Sequence, residues 1–186
     1  MSATSFKVTF KLDEDDARYF RSLFRKARKA AADQDGEEII EAARVLVESV
    51  RQDKKTPGFV LDAIETLQSL TEIIDDEHYA APAKVRNDVI AALAYFANSE
   101  DLIPDDIPVL GFLDDAIMIK FVEEQFKHEL NAYQKFRKFQ RGAEQRPWTQ
   151  VASERLPGRL AAMRKKLRAE VARKSQADAD QGRAGF

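Results

Sequence analysis

The chain has no cysteine in its 186 residues. That excludes a disulfide framework, a thiol nucleophile and thiolate metal ligands. Glycine and proline are scarce, at 7 and 6. So few turn formers argue against an all-β fold and against a disordered chain. There is no G-x-S-x-G, no phosphate-binding loop and no Ser/His pairing, so nucleophilic catalysis has no support. The longest uncharged run, Val89 to Ser99, is 11 residues, while a membrane-spanning helix needs about 20. The first residues lack an apolar run followed by a small-residue cleavage site, so no secretory signal is expected. The expectation is a soluble, cytoplasmic protein, with peripheral attachment at a membrane left open.

Charge is balanced in total and uneven in place. Residues 31–119 hold 20 acids against 6 bases, and residues 120–174 hold 15 bases against 6 acids. The first thirty residues are also basic. In one reading these blocks neutralise each other across the fold. In a sharper one they leave a basic face for an acidic partner.

Phe6, Val8, Phe10 and Leu12 alternate with polar residues, the period of a half-buried strand. No second strand pattern follows, so this one is expected to lie as an arm or to pair with its copy in a dimer. Asp13 then reads as the cap of a first helix, with Phe20, Leu23, Phe24 and Ala27 on its apolar face. Ile39, Ile40, Ala43, Leu46, Val47 and Val50 predict a second helix after Asp35-Gly36. Thr56 is expected to cap a third, with Pro57 in its first helical position. Pro82 opens a fourth, so apolar that it should be central. A fifth is predicted from Leu113 to Gln140, stopped by Gly142, with Met118, Val122, Phe126, Leu130, Tyr133 and Phe136 as its stripe. A last helical region begins at Pro147 and should be interrupted near Pro157-Gly158. It then continues as a basic amphipathic helix over 156–174. From Ser175 the chain is polar and aperiodic, and residues 175–186 are expected to be a flexible tail. The fold predicted is all-α: a bundle of five or six helices in one domain, residues 1–174, with a short strand-like N-terminal segment.

Between the fourth and fifth helices lies 99-SEDLIPDDIPVLGFLDD-115, apolar, helix-breaking and rich in aspartate. The run Asp101-Leu102-Ile103-Pro104-Asp105, Ile107-Pro108-Val109-Leu110-Gly111, Leu113-Asp114-Asp115 resembles the YkvA-like family, a domain of unknown function. Its members carry a similar DLIPD-x-IPVLG-x-LDD run between two apolar helices. The motif core covers residues 82–122. The chain departs from many relatives in having Ser99 and Glu100 where they have proline before the run. The resemblance implies a fold element and no established reaction. The family is often described as membrane-associated, an implication that the short uncharged runs of this chain oppose.

Two duties are open to Asp101, Asp105, Asp106, Asp114 and Asp115. They can satisfy backbone amides of a stiff Pro/Asp-rich elbow and of the following helix start, and this capping reading is preferred. Alternatively they hold a divalent cation such as Mg²⁺ or Ca²⁺, which suits clustered carboxylates. The spacing matches neither an EF-hand loop nor a di-iron bundle. His128 follows Glu124 by four but lies about 200° from the Phe126 stripe, so it should face water or a neighbouring chain. His78 follows Asp75 by three near a helix end, where an imidazole is favourable without a metal.

The basic residues Arg159, Arg164, Lys165, Lys166, Arg168 and Arg173 are the candidate partner-binding set. The plain alternative is a solvated face on a helix whose Leu/Met/Val stripe packs on the bundle. No aromatic is interleaved with them after Trp148, which weakens a single-stranded nucleic-acid mode. The reading reached is a binding or scaffolding module without catalysis and without a cofactor, acting as a homo-oligomer or with a protein partner. The alternatives are a metal-dependent enzyme using the aspartates, and a binder of an anionic membrane surface or, less favoured, nucleic acid.

Overall fold

Asp13 starts the first helix by a reciprocal exchange. Its carboxylate accepts hydrogen bonds from the amides of Asp15 and Asp16 at 2.8 and 3.0 Å. The Asp16 carboxylate accepts one from the Asp13 amide at 3.1 Å. Amides that have no partner within the helix are satisfied in this way. Asp35 does the same for the second helix, accepting from the Glu37 amide at 3.0 Å.

The computed structural model describes residues 13–30, 34–52, 56–97, 113–144 and 150–181. Among them are six helices: α1 Glu14–Ala30, α2 Gly36–Gln52, α3 Gly58–Asp75, α4 Ala83–Ala97, α5 Leu113–Glu144 and α6 Gln150–Asp180. The all-α bundle expected from the apolar periodicity is therefore observed. The strand-like segment at Phe6 to Leu12 and most of the elbow, with Asp101, Asp105 and Asp106, lie outside the described residues.

The helices pack α1 on α4, α4 on α2, α2 on α3, α3 on α5 and α5 on α6, with α3 also touching α4. The apolar stripes predicted from sequence meet in one core, including Ile40, Leu67, Leu93, Met118, Tyr133 and Phe136. Each such side chain contributes about 1.5–3 kcal/mol on burial. In α4, every residue from Ala92 to Phe96 is buried, as expected of a helix with neighbours on several sides. Gly36 stands where α2 meets α4: a Cβ there would lie 3.2 Å from Ile90.

Several local expectations are corrected. Thr56 does not cap α3. Pro57, with φ −62 and ψ 147, is the residue before the helix, and no side chain caps it. The Thr56 hydroxyl instead donates to the Val50 carbonyl at 2.8 Å, satisfying a free acceptor at the end of α2. Gly142 does not stop α5, which runs on to Glu144 because Ala143 is buried beyond the glycine. Pro157 lies inside α6. Leu156 and Leu160, on either side of it, both pack on the core, and that packing carries the helix through the lost hydrogen bond. The same helix passes Ser175, where a tail was expected, and reaches Asp180.

Candidate functional site

The motif aspartates come first. Asp114 lies in the first turn of α5. Asp115, beside it, is half-buried and engaged in an interaction. No group of three or more His, Asp or Glu side chains is gathered to hold a metal among the described residues.

A polar cluster that sequence reasoning missed sits where the α3–α4 connection meets α5 and α6. Asp76 organises that connection. Its carboxylate accepts from the amides of His78 and Tyr79 at 2.9 and 3.0 Å. Tyr133 donates to its other oxygen at 3.4 Å, and Arg137 lies 3.6 Å from it. The turn delivers Tyr79 into the interior, where it is 0% exposed. Its phenol donates to Glu129 at 2.7 Å. Arg168, from α6, donates to the same Glu129 oxygen and stacks its guanidinium 4.2 Å from the centre of the Tyr79 ring. Tyr133 and Phe136 pack edge-on against that ring, at 5.0 and 5.2 Å between centroids.

Burial, and then the Glu129 carboxylate, push the Tyr79 phenol far above its ordinary ionisation range. Burial raises Tyr133 as well. Tyr79 is thus a locked hydrogen-bond donor, and the cluster acts as a clamp joining three elements. Glu129 carried a signal for it, since it falls between Phe126 and Tyr133 on the apolar face of α5. An acid in that place needs a buried partner.

His128 is a further correction. It faces α6 of its own chain, with Nε2 2.9 Å from the Asp178 carboxylate, while Glu124 pairs with Lys127 at 2.6 Å. The single-stripe view failed because α5 is packed by α3 on one side and α6 on another. Lys127 also reaches Asp178, at 2.8 Å, so residues past Ser175 are tied to α5. About two turns back along α6, Lys135 lies 2.6 Å from Glu170.

The six basic residues chosen from sequence do not form one set. Arg164 donates to the His78 carbonyl at 3.0 Å, and Arg168 belongs to the clamp. Arg159 is exposed and stacks 5.5 Å from the Phe139 ring centre. Lys165, Lys166 and Arg173 are exposed. The acidic block does meet the basic ends in places, as at Arg137–Asp76 and Arg28–Asp88. The outer cations of α6 take no part in this exchange among the described residues.

Two concavities are worth describing. A void of about 10 Å³ between α1 and α5 is lined by Phe20, Phe24, Met118 and Phe121. An open groove of about 310 Å³ between α3 and α5 is lined by Asp62, Glu65, Lys120, Lys127 and Asn131, among others. Its walls carry both signs of charge and converge on no single chemistry. Among the described residues no helix is long and apolar enough to cross a membrane.

Fold and site together define an all-α bundle with an internal polar clamp and a cationic outer helix. Within it, a family model described as a protein of unknown function (DUF1232) matches residues 89–121. That span takes in the second half of α4, the start of α5 and the whole DLIPD-x-IPVLG-x-LDD run. No curated protein and no solved structure gives a significant match to the chain.

Proposed function

We propose that this protein is a non-catalytic binding module of the YkvA-like kind, and that its contact surface is the outer face of α6. The overlap of the family match with the YkvA-like run supports the affiliation. The observation that carries the contact surface is the arrangement of cations on α6. At about 100° per residue, Arg155, Arg159, Lys166 and Arg173 fall within about 40° of one another. All four are exposed. They extend over about 27 Å at 1.5 Å per residue. The apolar stripe of the same helix is already spent on the bundle, with Leu160 and Leu167 buried. An electrostatic contact with an acidic surface is what this face offers.

The test is binding of the full chain to three anionic probes at about 20 and about 150 mM salt. The probes are poly-glutamate, a phosphatidylserine vesicle and a single-stranded oligonucleotide. Wild type is expected to bind poly-glutamate at the lower salt. The triple variant Arg159→Glu/Lys166→Glu/Arg173→Glu is expected to lose that binding while keeping its helical content. Equal binding by the two proteins, or none by wild type at low salt, overturns the proposal.

A further inference from the structure

We infer that the acidic partner of α6 is the α2 helix of a second copy of this chain. The inference rests on the reading of α6 as a contact surface and adds the occupant. The outward face of α2 carries Glu38, Glu41, Val45, Glu48 and Gln52 at spacings of 3, 4, 3 and 4. Residues so spaced form one straight stripe on a helix. All five are exposed, and Val45 is 60% exposed, the most open of the large apolar side chains described. The buried residues of α2, Ile39, Ile40, Ala43, Val47 and Val50, occupy its opposite side. Among the described residues no other helix covers the stripe; its side-chain contacts stay within α2, where Glu41 pairs with Arg44 at 3.0 Å and Gln52 donates to Glu48 at 2.9 Å.

The face of α6 is its complement. Between the cations Arg155, Arg159, Lys166 and Arg173 lie Ala162 and Ala169, both exposed, at the same alternating spacing. Small residues in the centre of a helix face allow another helix to approach closely. Cations at the edge then meet the glutamates, and an apolar side chain such as Val45 covers the alanines. The stripes match in extent, about 21 Å on α2 and about 27 Å on α6 at 1.5 Å per residue. Arg155, Lys166 and Arg173 have no ion-pair partner among the described residues. An insertion into lipid is disfavoured on this face, because no large apolar side chain stands among its cations. Since the acidic and basic stripes lie on different helices, two copies related by a two-fold make two equivalent contacts, and a head-to-tail arrangement makes a longer assembly.

Light scattering coupled to size exclusion tests this with three proteins: wild type, Lys166→Glu/Arg173→Glu, and Glu41→Lys/Glu48→Lys. At about 20 mM salt, wild type is expected above the 21.1 kDa of one chain, and at about 500 mM it should fall towards it. Each variant alone is expected to run as a monomer with an unchanged circular dichroism spectrum. An equimolar mixture of the two variants has reversed charges facing each other and should re-associate. A monomeric wild type at low salt overturns the inference, as does association of either variant to the wild-type extent or failure of the mixture to associate. If wild type is monomeric yet binds poly-glutamate, the second-copy partner falls and the α6 contact surface stands. If wild type associates through these stripes but ignores every added probe, the general anionic reading fails and the self-contact stands.

Discussion

Tyr79 and Glu129 are 50 positions apart in the chain, and their side chains meet at 2.7 Å in the interior, with Arg168 donating to the same carboxylate oxygen. The Glu129 side chain is only 6% exposed and that of Arg168 21%. A buried carboxylate that loses its cation is left uncompensated, which costs more than the pair contributes. Arg168→Ala is therefore expected to lower stability by about 3 kcal/mol, and Tyr79→Phe by about 2 kcal/mol. Replacing both charges, as in Glu129→Leu/Arg168→Met, should cost less than Arg168→Ala alone. Urea melts of the three variants check the order. A double replacement that is worse than the single one contradicts the clamp.

Acid should loosen the seam between α5 and α6. Hydrogen bonds from Lys135 and then Lys174 hold the Glu170 carboxyl at about 2. Lys127, and then His128, lower Asp178. A depressed carboxyl contributes stability above its unfolded-state value of about 4, and loses it as pH falls towards the folded value. The melting temperature is expected to drop between about pH 5 and pH 2. Glu170→Gln and Asp178→Asn should each flatten that drop.

Alkali acts through the opposite sign. The phenols of Tyr79 and Tyr133 are raised by burial first. Their contribution is complete below about pH 10 and is lost as pH rises through the folded values. The phenolate absorbance of Tyr79 and Tyr133 should appear only together with loss of helical signal. Ionisation of Tyr79 and Tyr133 with the helical signal intact would contradict their burial.

Ala80 follows the Asp76 turn with φ at 45°, a left-handed conformation that a side chain disfavours. Ala80→Gly is expected to raise stability by about 0.5–1 kcal/mol, read as a higher melting temperature. Ala80→Val, with a branched side chain in the same place, should lower it.

The sequence favours backbone capping for the motif aspartates over a cation site, and metal supplies the check. Millimolar Mg²⁺, Ca²⁺ or Mn²⁺ is expected to leave the melting temperature unchanged, both in wild type and in Asp114→Asn/Asp115→Asn. A rise of several degrees in wild type alone would turn the assignment towards a cation site.

The core was legible because α5 repeats Met118, Val122, Phe126, Leu130, Tyr133 and Phe136 at helical spacing, and these six are all buried. The ends of helices were less so. Gly142 and Pro157 look like stops when only the local backbone cost is weighed. Ala143, Leu156 and Leu160 outweigh that cost by packing, which a local reading cannot see. Residues 175–180 show no apolar period, since Asp178 holds its turn by charge. The Tyr79–Glu129–Arg168 clamp was half visible: an acid on an apolar face announces that a partner exists, but not which of many distant cations it is.

The position of α6 has a consequence for how the molecule opens. It packs along α5, and its polar attachments beyond that helix among the described residues are Arg164 to the His78 carbonyl and the stacking of Arg168 on Tyr79. Opening therefore need not be global. The last helix can swing away while the layers from α1 to α5 stay closed, giving a partly open form of its own free energy. In hydrogen exchange the amides of α6 should release as one group, ahead of those of α4, whose residues Ala92 to Phe96 are shut in on all sides. A protease acting on the native protein would then trim the molecule from its C-terminal helix inward and leave a helical remnant behind.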